Sequence, residues 1–138
     1  MILLVDDERR WAEYYRDELE EGLPQYEVEF RDKVDDALEL LRAGGSQVEL
    51  LILDIMMSPG NAFRHVDTRN GLRTGRRFFD HVRQAEPQLP VIILTNVSDV
   101  EEEQYYEGQP NCWFFRKEDC SPIELPERVK DILERVAA

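Results

Sequence analysis

The chain has 138 residues, and its 17 lysines and arginines against 30 aspartates and glutamates give a formal net charge of −13 at pH 7. This length fits one domain with a substantial core, so we expect a single domain over residues 1–138. An acidic surface repels nucleic acids and anionic lipids, which argues against either as a direct ligand. No apolar run could span a bilayer and no basic signal segment precedes residue 2, so we expect a cytoplasmic protein.

Short apolar runs alternate along the chain with amphipathic segments. We predict strands over residues 2–5, 26–31, 49–54, 91–95 and 112–116. We predict helices over roughly 8–21, 33–43, 70–85, 98–107 and 122–136. Five strands that alternate with five helices predict an α/β fold, a doubly wound parallel sheet between two layers of helices.

The apolar pattern of each segment predicts how it is buried. The first, third and fourth strands are continuously apolar, which indicates burial on both faces, whereas strand 26–31 alternates and should lie at an edge. Three helices carry an apolar stripe, formed by Trp11, Tyr15 and Leu19, by Val34, Ala37, Leu38 and Leu41, and by Leu125, Val129, Ile132, Leu133 and Val136. Gly44 and Gly45 should end the second helix, and Ser121 and Pro122 should begin the last.

The two cysteines carry little information about function. Cys112 and Cys120 are too few to form a disulfide framework in a chain of this size. We expect both to be free thiols, with Cys112 acting as a small apolar residue in a buried strand.

Polar residues end four of the predicted strands. Asp6 and Asp7 follow the first, Asp54 is the last residue of the third, Thr95 is the last residue of the fourth, and Lys117 follows the fifth. The carboxyl ends of parallel strands lie along one edge of the sheet, so these side chains should share one crevice. Each residue alone is more typical of a cap or a solvated turn, but the five together favour a common site.

This set of side chains suits a divalent cation and a phosphoryl group. Clustered carboxylates raise one another's pKa values, and Mg²⁺ relieves the repulsion because it prefers carboxylate, water and phosphate oxygens. A carboxylate beside such a metal can attack phosphorus and form an acyl phosphate. An ammonium and a hydroxyl would stabilise the charge on the transferred group.

The same segments resemble the receiver domain of bacterial two-component response regulators over essentially the whole chain. The similar segments are residues 2–8 (ILLVDDE), 50–60 (LLILDIMMSPG), 90–95 (PVIILT) and 114–117 (FFRK). The resemblance implies a sheet in the order 2-1-3-4-5. It also implies that Asp54 is the phosphoacceptor, that Asp7 binds Mg²⁺ directly and Asp6 through water, and that the Met56 carbonyl completes the metal shell.

The resemblance also implies a switch. Thr95 would bond a phosphate oxygen, Lys117 would pair with the phosphate, and Phe114 would be the switch aromatic. A histidine kinase or phosphotransfer protein would be the donor. A downstream protein would bind a face formed by the fourth helix, fifth strand and fifth helix. In this chain that face would include Glu101, Glu102, Glu103, Tyr105, Tyr106 and Trp113. These residues suggest a partner with basic and apolar groups, although a solvated acidic helix end is the default interpretation of the glutamates.

Three positions depart from the family pattern. The loop over 56–69 is longer than usual, with the extra residues between about 60 and 69 if Asn70-Gly71 takes the place of the family's Asp-Gly. Glu118 follows Lys117 where the family has a proline after a cis bond, which is costly before other residues. Asn96 follows Thr95 where the family prefers a smaller residue. None of these changes removes a reacting group.

The long loop has two interpretations. It is either a mobile surface loop or a lid over the site, in which Arg64, His65 and Arg69 reach the phosphate or a partner. Gly60 and Gly71 would then act as hinges.

Other functions fit less well. A phosphorylation-independent binding module remains an alternative because of the loop, Asn96 and Glu118. An aspartyl phosphatase would place a second aspartate where Met56 stands, and a flavin-binding domain would have a loop rich in Ser, Thr or Gly after the first strand. The last predicted helix ends just before Ala138, so we expect no output domain within these 138 residues.

Overall fold

A computed structural model of the chain describes residues 1–44, 47–58, 60–69, 71 and 73–137. Its strands are β1 (Ile2–Val5), β2 (Val28–Arg31), β3 (Leu50–Leu53), β4 (Val91–Thr95) and β5 (Cys112–Arg116). Its helices are α1 (Arg9–Gly22), α2 (Val34–Gly44), α3 (Thr74–Ala85), α4 (Val100–Glu107) and α5 (Leu125–Ala137). The strands form one parallel sheet in the order β2-β1-β3-β4-β5, which confirms the predicted doubly wound fold.

The sheet separates two hydrophobic clusters. Alternate residues of β1, β3 and β4 point to opposite faces, and all of them are buried, as their continuous apolar sequence predicts. One cluster contains residues of α2, α3 and α4, and the other contains residues of α1 and α5. The strand β2 is at an edge and is only partly buried, which confirms its predicted place.

Two of the predicted helix stripes are wrong at one residue each. Trp11 is 51% exposed, whereas Ala12, Tyr15 and Leu19 form the buried face of α1. These three residues follow the spacing i, i+3, i+7, and Trp11 lies about 100° around the helix from Ala12. Val136 in the last turn of α5 is 44% exposed, whereas Val129 and Ile132 of the same helix are buried.

Some helix boundaries also differ from the prediction. The helix α3 begins at Thr74 rather than at residue 70, because Arg69 and Gly71 have φ values of 51° and 91°, which an α-helix does not admit. The helix α5 begins at Leu125, after a turn in which the Ser121 hydroxyl accepts the Glu124 N–H at 3.3 Å. Gly45 and Asn70, which entered these predictions, lie outside the described residues.

Both cysteines are free thiols, as predicted. Cys120 is buried and Cys112 is partly buried, so burial raises the pKa of their thiols, to about 11 for Cys120 and about 12 for Cys112. None of the described helices is long and apolar enough to cross a membrane.

Candidate functional site

The strand register brings the ends of β1 and β3 level with one another. Val5 pairs with Leu53, and Leu53 pairs with Ile93. The Asp54 N–H donates to the Val5 carbonyl at 3.0 Å, which places Asp54 beside the residues that follow β1. The polar residues that end β1 and β3 therefore meet at the carboxyl edge of the sheet.

Three carboxylates converge there. Asp6, Asp7 and Asp54 each offer an oxygen, and these atoms all lie within 4.8 Å of one another. Asp6 and Asp54 are buried, whereas Asp7 is exposed. Burial, and then the charge of Asp54, raises the pKa of Asp6 to about 6, and the same two causes raise the pKa of Asp7. The repulsion and the all-oxygen donor set fit a hard divalent cation such as Mg²⁺.

Lys117 supplies the positive charge of this cluster. Its ammonium lies 2.8 Å from Asp6 Oδ2 and 3.5 Å from Asp54 Oδ2. Burial alone lowers the pKa of Lys117, but the carboxylates of Asp54 and Asp6 outweigh it, so that the pKa rises above its ordinary value. The lysine is therefore a fixed cation at neutral pH.

Glu8 is a site residue that the sequence analysis missed. One of its carboxylate oxygens, Oε2, lies 3.5 Å from Lys117 Nζ and accepts a hydrogen bond of 3.5 Å from the Asn96 amide. Glu8 directly follows the acidic pair, and three consecutive acidic residues at a strand end were a signal for including it. Asn96, which departs from the family pattern next to Thr95, is exposed and lies at the edge of the site through its hydrogen bond to Glu8.

Thr95 and Met56 each take part in a hydrogen bond between a side chain and a backbone N–H. Thr95 is fully buried, and its hydroxyl accepts the Val97 N–H at 3.1 Å. The Met56 N–H donates to Asp54 Oδ1 at 3.3 Å, while the Met56 side chain is 54% exposed.

The turn after Lys117 forms without a cis bond, since none of the described peptide bonds is cis. Residues Lys117–Asp119 form a 3-10 turn, and Glu118 is exposed, 3.7 Å from Arg116.

Phe114 packs against α4. It is half-buried on β5, and its ring stacks on Tyr106 with centroids 6.1 Å apart. The prediction that a partner face includes Glu102 and Tyr106 is wrong, because both side chains are buried, at 1% and 0% exposure. Glu101, the residue next to Glu102 on α4, is exposed to solvent instead.

The predicted lid residues lie on the surface. Arg64, His65 and Arg69 are exposed, and Arg64 donates to His65 Nε2 at 3.1 Å. Within the described part of the chain, no hydrogen bond or ion pair joins these side chains to the carboxylate cluster. Gly60 and Gly71 both have positive φ, at 61° and 91°.

The same loop is anchored to the rest of the domain. Asp35 at the start of α2 accepts the N–H groups of Asn61 and Ala62 at 2.8 and 2.9 Å. Phe63 is 9% exposed and belongs to the hydrophobic cluster shared by α2 and α3. Thr68 is buried, and its carbonyl accepts the Arg73 N–H at 2.7 Å. These contacts fix the loop at both ends of its extra segment.

Comparison with known proteins identifies what the chain is similar to. A family model described as the response regulator receiver domain matches residues 2–108. No curated protein sequence matches the chain.

Similar solved structures are receiver domains. That of the Francisella response regulator 1452 is 21% identical with a TM-score of 0.71, over 97% of this chain and 96% of that one. The receiver domain of NtrX from Brucella abortus is 20% identical with a TM-score of 0.71, over 97% and 98%. A CheY-like receiver domain protein from Methanospirillum hungatei JF-1 is 20% identical with a TM-score of 0.74, over 99% and 94%. At these identities the likeness supports the fold.

Proposed function

Because the chain belongs to the response regulator receiver domain family of two-component systems, we propose that it accepts a phosphoryl group on Asp54. The donor is a phosphohistidine of a histidine kinase or phosphotransfer protein. The observation that carries the proposal is the position of Lys117. It lies beyond the matched segment, yet its ammonium is within 3.5 Å of both Asp6 and Asp54.

The proposed reaction uses Asp54 as the nucleophile. A carboxylate oxygen of Asp54 attacks phosphorus, the P–N bond to the donor imidazole breaks, and the imidazole leaves with its electron pair and takes up a proton from solvent. Asp54 is thereby converted to an acyl phosphate, which water later hydrolyses.

The neighbouring residues stabilise the transferred group. Asp6, Asp7, Asp54 and the Met56 carbonyl would hold Mg²⁺, which neutralises charge on the phosphoryl oxygens when bound. Lys117 pairs with one of these oxygens, and the Thr95 hydroxyl donates to another once it turns from Val97. Catalysis here is positioning and charge stabilisation, so no separate general acid is required.

Phosphorylation then acts as a switch. When Thr95 turns toward the phosphate, it leaves space that Phe114 can fill, and this movement breaks the stacking of Phe114 on Tyr106. The exposed surface of α4, β5 and α5 changes as a result, and a downstream protein reads the change.

Incubation with Mg²⁺ and acetyl phosphate, followed by intact mass measurement, tests the proposal. Wild type should gain the mass of one phosphoryl group, and Asp54→Asn should gain none. An unmodified wild type would favour the alternative, a binding module that works without phosphorylation.

A further inference from the structure

Glu102 on α4 is a buried carboxylate that the proposed phosphoryl site does not use. Its Oε1 lies 2.8 Å from Arg73 Nε and 3.4 Å from Arg76 Nη1. Arg73 directly precedes α3 and Arg76 lies in its first turn. A buried carboxylate is costly unless it is paired, so these contacts hold α4 against the start of α3.

The start of α3 is itself attached to the strand end that carries Asp54. The Gly75 N–H donates to the Ile55 carbonyl at 2.9 Å. A Cβ at Gly75 would lie 2.3 Å from Ile55 Cα, so the helix and the residue after Asp54 are in direct backbone contact. Glu102 therefore connects α4 to the immediate surroundings of the phosphoacceptor.

The other end of this connection is Thr95. Only the loop 96–99 separates Thr95 from α4, and Asp99 caps the helix by accepting the Glu102 N–H at 3.2 Å. In the described conformation, the Thr95 hydroxyl is bonded to the Val97 N–H and Phe114 rests on Tyr106. Both contacts must break in the proposed switch, so this conformation differs from the switched one.

Two buried polar atoms of α4 are unsatisfied as hydrogen-bonding groups in this conformation. Among the described residues, Glu102 Oε2 and the Tyr106 hydroxyl have no hydrogen-bond partner. The two residues are four apart on the helix and thus share a face. A different arrangement of α4 that pairs either atom would gain a hydrogen bond, which lowers the cost of leaving the present one.

We propose that Glu102, held by Arg73 and Arg76, is a positioning residue that keeps α4 and Thr95 in the described conformation and thereby opposes the phosphorylation switch. This inference rests on the proposed function. A ligand that binds only the switched conformation has an apparent affinity reduced in proportion to the fraction of molecules in that conformation. Contacts that keep this fraction small therefore weaken binding of the ligand. Loss of the Glu102 contacts should therefore raise the affinity of a phosphate mimic.

The test uses Glu102→Gln with Glu101→Gln as the matched control. Glu101 is the neighbouring residue and also contacts Arg73, at 3.1 Å, but its side chain is 68% exposed. Beryllofluoride with Mg²⁺ is titrated into each protein and followed by NMR. Glu102→Gln should bind it at least about threefold more tightly than wild type, and Glu101→Gln should match wild type. Before addition, the Val97 and 100–107 amides of Glu102→Gln should already be shifted toward their mimic-bound wild-type positions.

A second variant distinguishes a specific effect of the Glu102 contacts from a general folding defect. Arg73→Gln leaves Glu102 paired with Arg76 and should shift both readouts in the same direction by a smaller amount. If Glu102→Gln and Arg73→Gln bind the mimic no more tightly than Glu101→Gln, the inference fails while the proposed function stands. A wild type that does not respond to beryllofluoride would overturn the proposed function and this inference with it.

Discussion

Lys117 forms its shortest ion pair with Asp6, at 2.8 Å, although Asp54 Oδ2 lies only 3.5 Å from the same ammonium. The lysine is thus shared between a predicted metal ligand and the proposed phosphoacceptor. A cation bound by the carboxylates would compete with Lys117 for Asp6. The ammonium would then be available to a phosphoryl group on Asp54, which couples metal binding to phosphorylation.

The first prediction concerns pH. Burial and the Asp54 charge raise the pKa of Asp6 to about 6. Protons compete with Mg²⁺ for the ionised Asp6 carboxylate, so the affinity of the site for Mg²⁺ must fall as the pH drops through this pKa. Competition at one such group predicts about tenfold weaker Mg²⁺ binding at pH 5 than at pH 7 by calorimetry. Asp6→Asn should show a flatter profile, and equal wild-type affinity at both pH values would contradict the assignment.

The second prediction tests the contact between α3 and the residue after Asp54. Gly75→Ala places a Cβ 2.3 Å from Ile55 Cα and 2.7 Å from the Asp54 carbonyl. We expect the free energy of unfolding to fall by about 1–3 kcal/mol in chemical denaturation, because backbone must move. Gly108→Ala is the control, since its nearest atoms are 3.6 and 3.7 Å away. Equal stability of the two variants would show that α3 is not packed as described.

The third prediction concerns the long loop as a lid. If Arg64 and Arg69 reach the phosphate or the attacking water, replacing both with alanine should change the lifetime of the aspartyl phosphate. Arg42→Ala, an exposed arginine in the last turn of α2, is the control. Point substitutions are preferable to deletion, because deletion also removes the core residue Phe63. An unchanged lifetime would leave the segment as an anchored surface loop.

The fourth prediction concerns the reach of the switch. Beryllofluoride with Mg²⁺ should perturb amides throughout residues 95–116, because Thr95 and Phe114 lie on neighbouring strands that lead into and out of α4. Asp54→Asn should show no such response. Perturbations confined to Asp54 and its sequence neighbours would mean that phosphorylation stays local.

The sequence predicted the sheet and the convergence of its polar strand ends, because a parallel sheet translates strand order into position. The burial of β1, β3 and β4 and the edge position of β2 follow from their apolar patterns. The order of the strands and the positions of their ends were therefore enough to predict that Asp6, Asp7, Asp54 and Lys117 lie close together.

Other features depended on tertiary contacts that no local pattern encodes. Glu102 looks like one of three solvated glutamates, yet arginines distant in sequence make it a buried ion pair. The delayed start of α3 depends on the left-handed conformations of Arg69 and Gly71. The anchoring of the long loop depends on Asp35, which a sequence reading assigns to an ordinary first turn of α2.

The most direct measurement is the location of the acyl phosphate. Protein treated with acetyl phosphate and Mg²⁺ is reduced with borohydride, which converts a phosphorylated aspartate to homoserine with release of phosphate, and peptides are then sequenced by mass spectrometry. We predict homoserine at residue 54 alone, and its loss when Mg²⁺ is withheld. Modification at Asp6 or Asp7 instead, or none anywhere, would contradict the account.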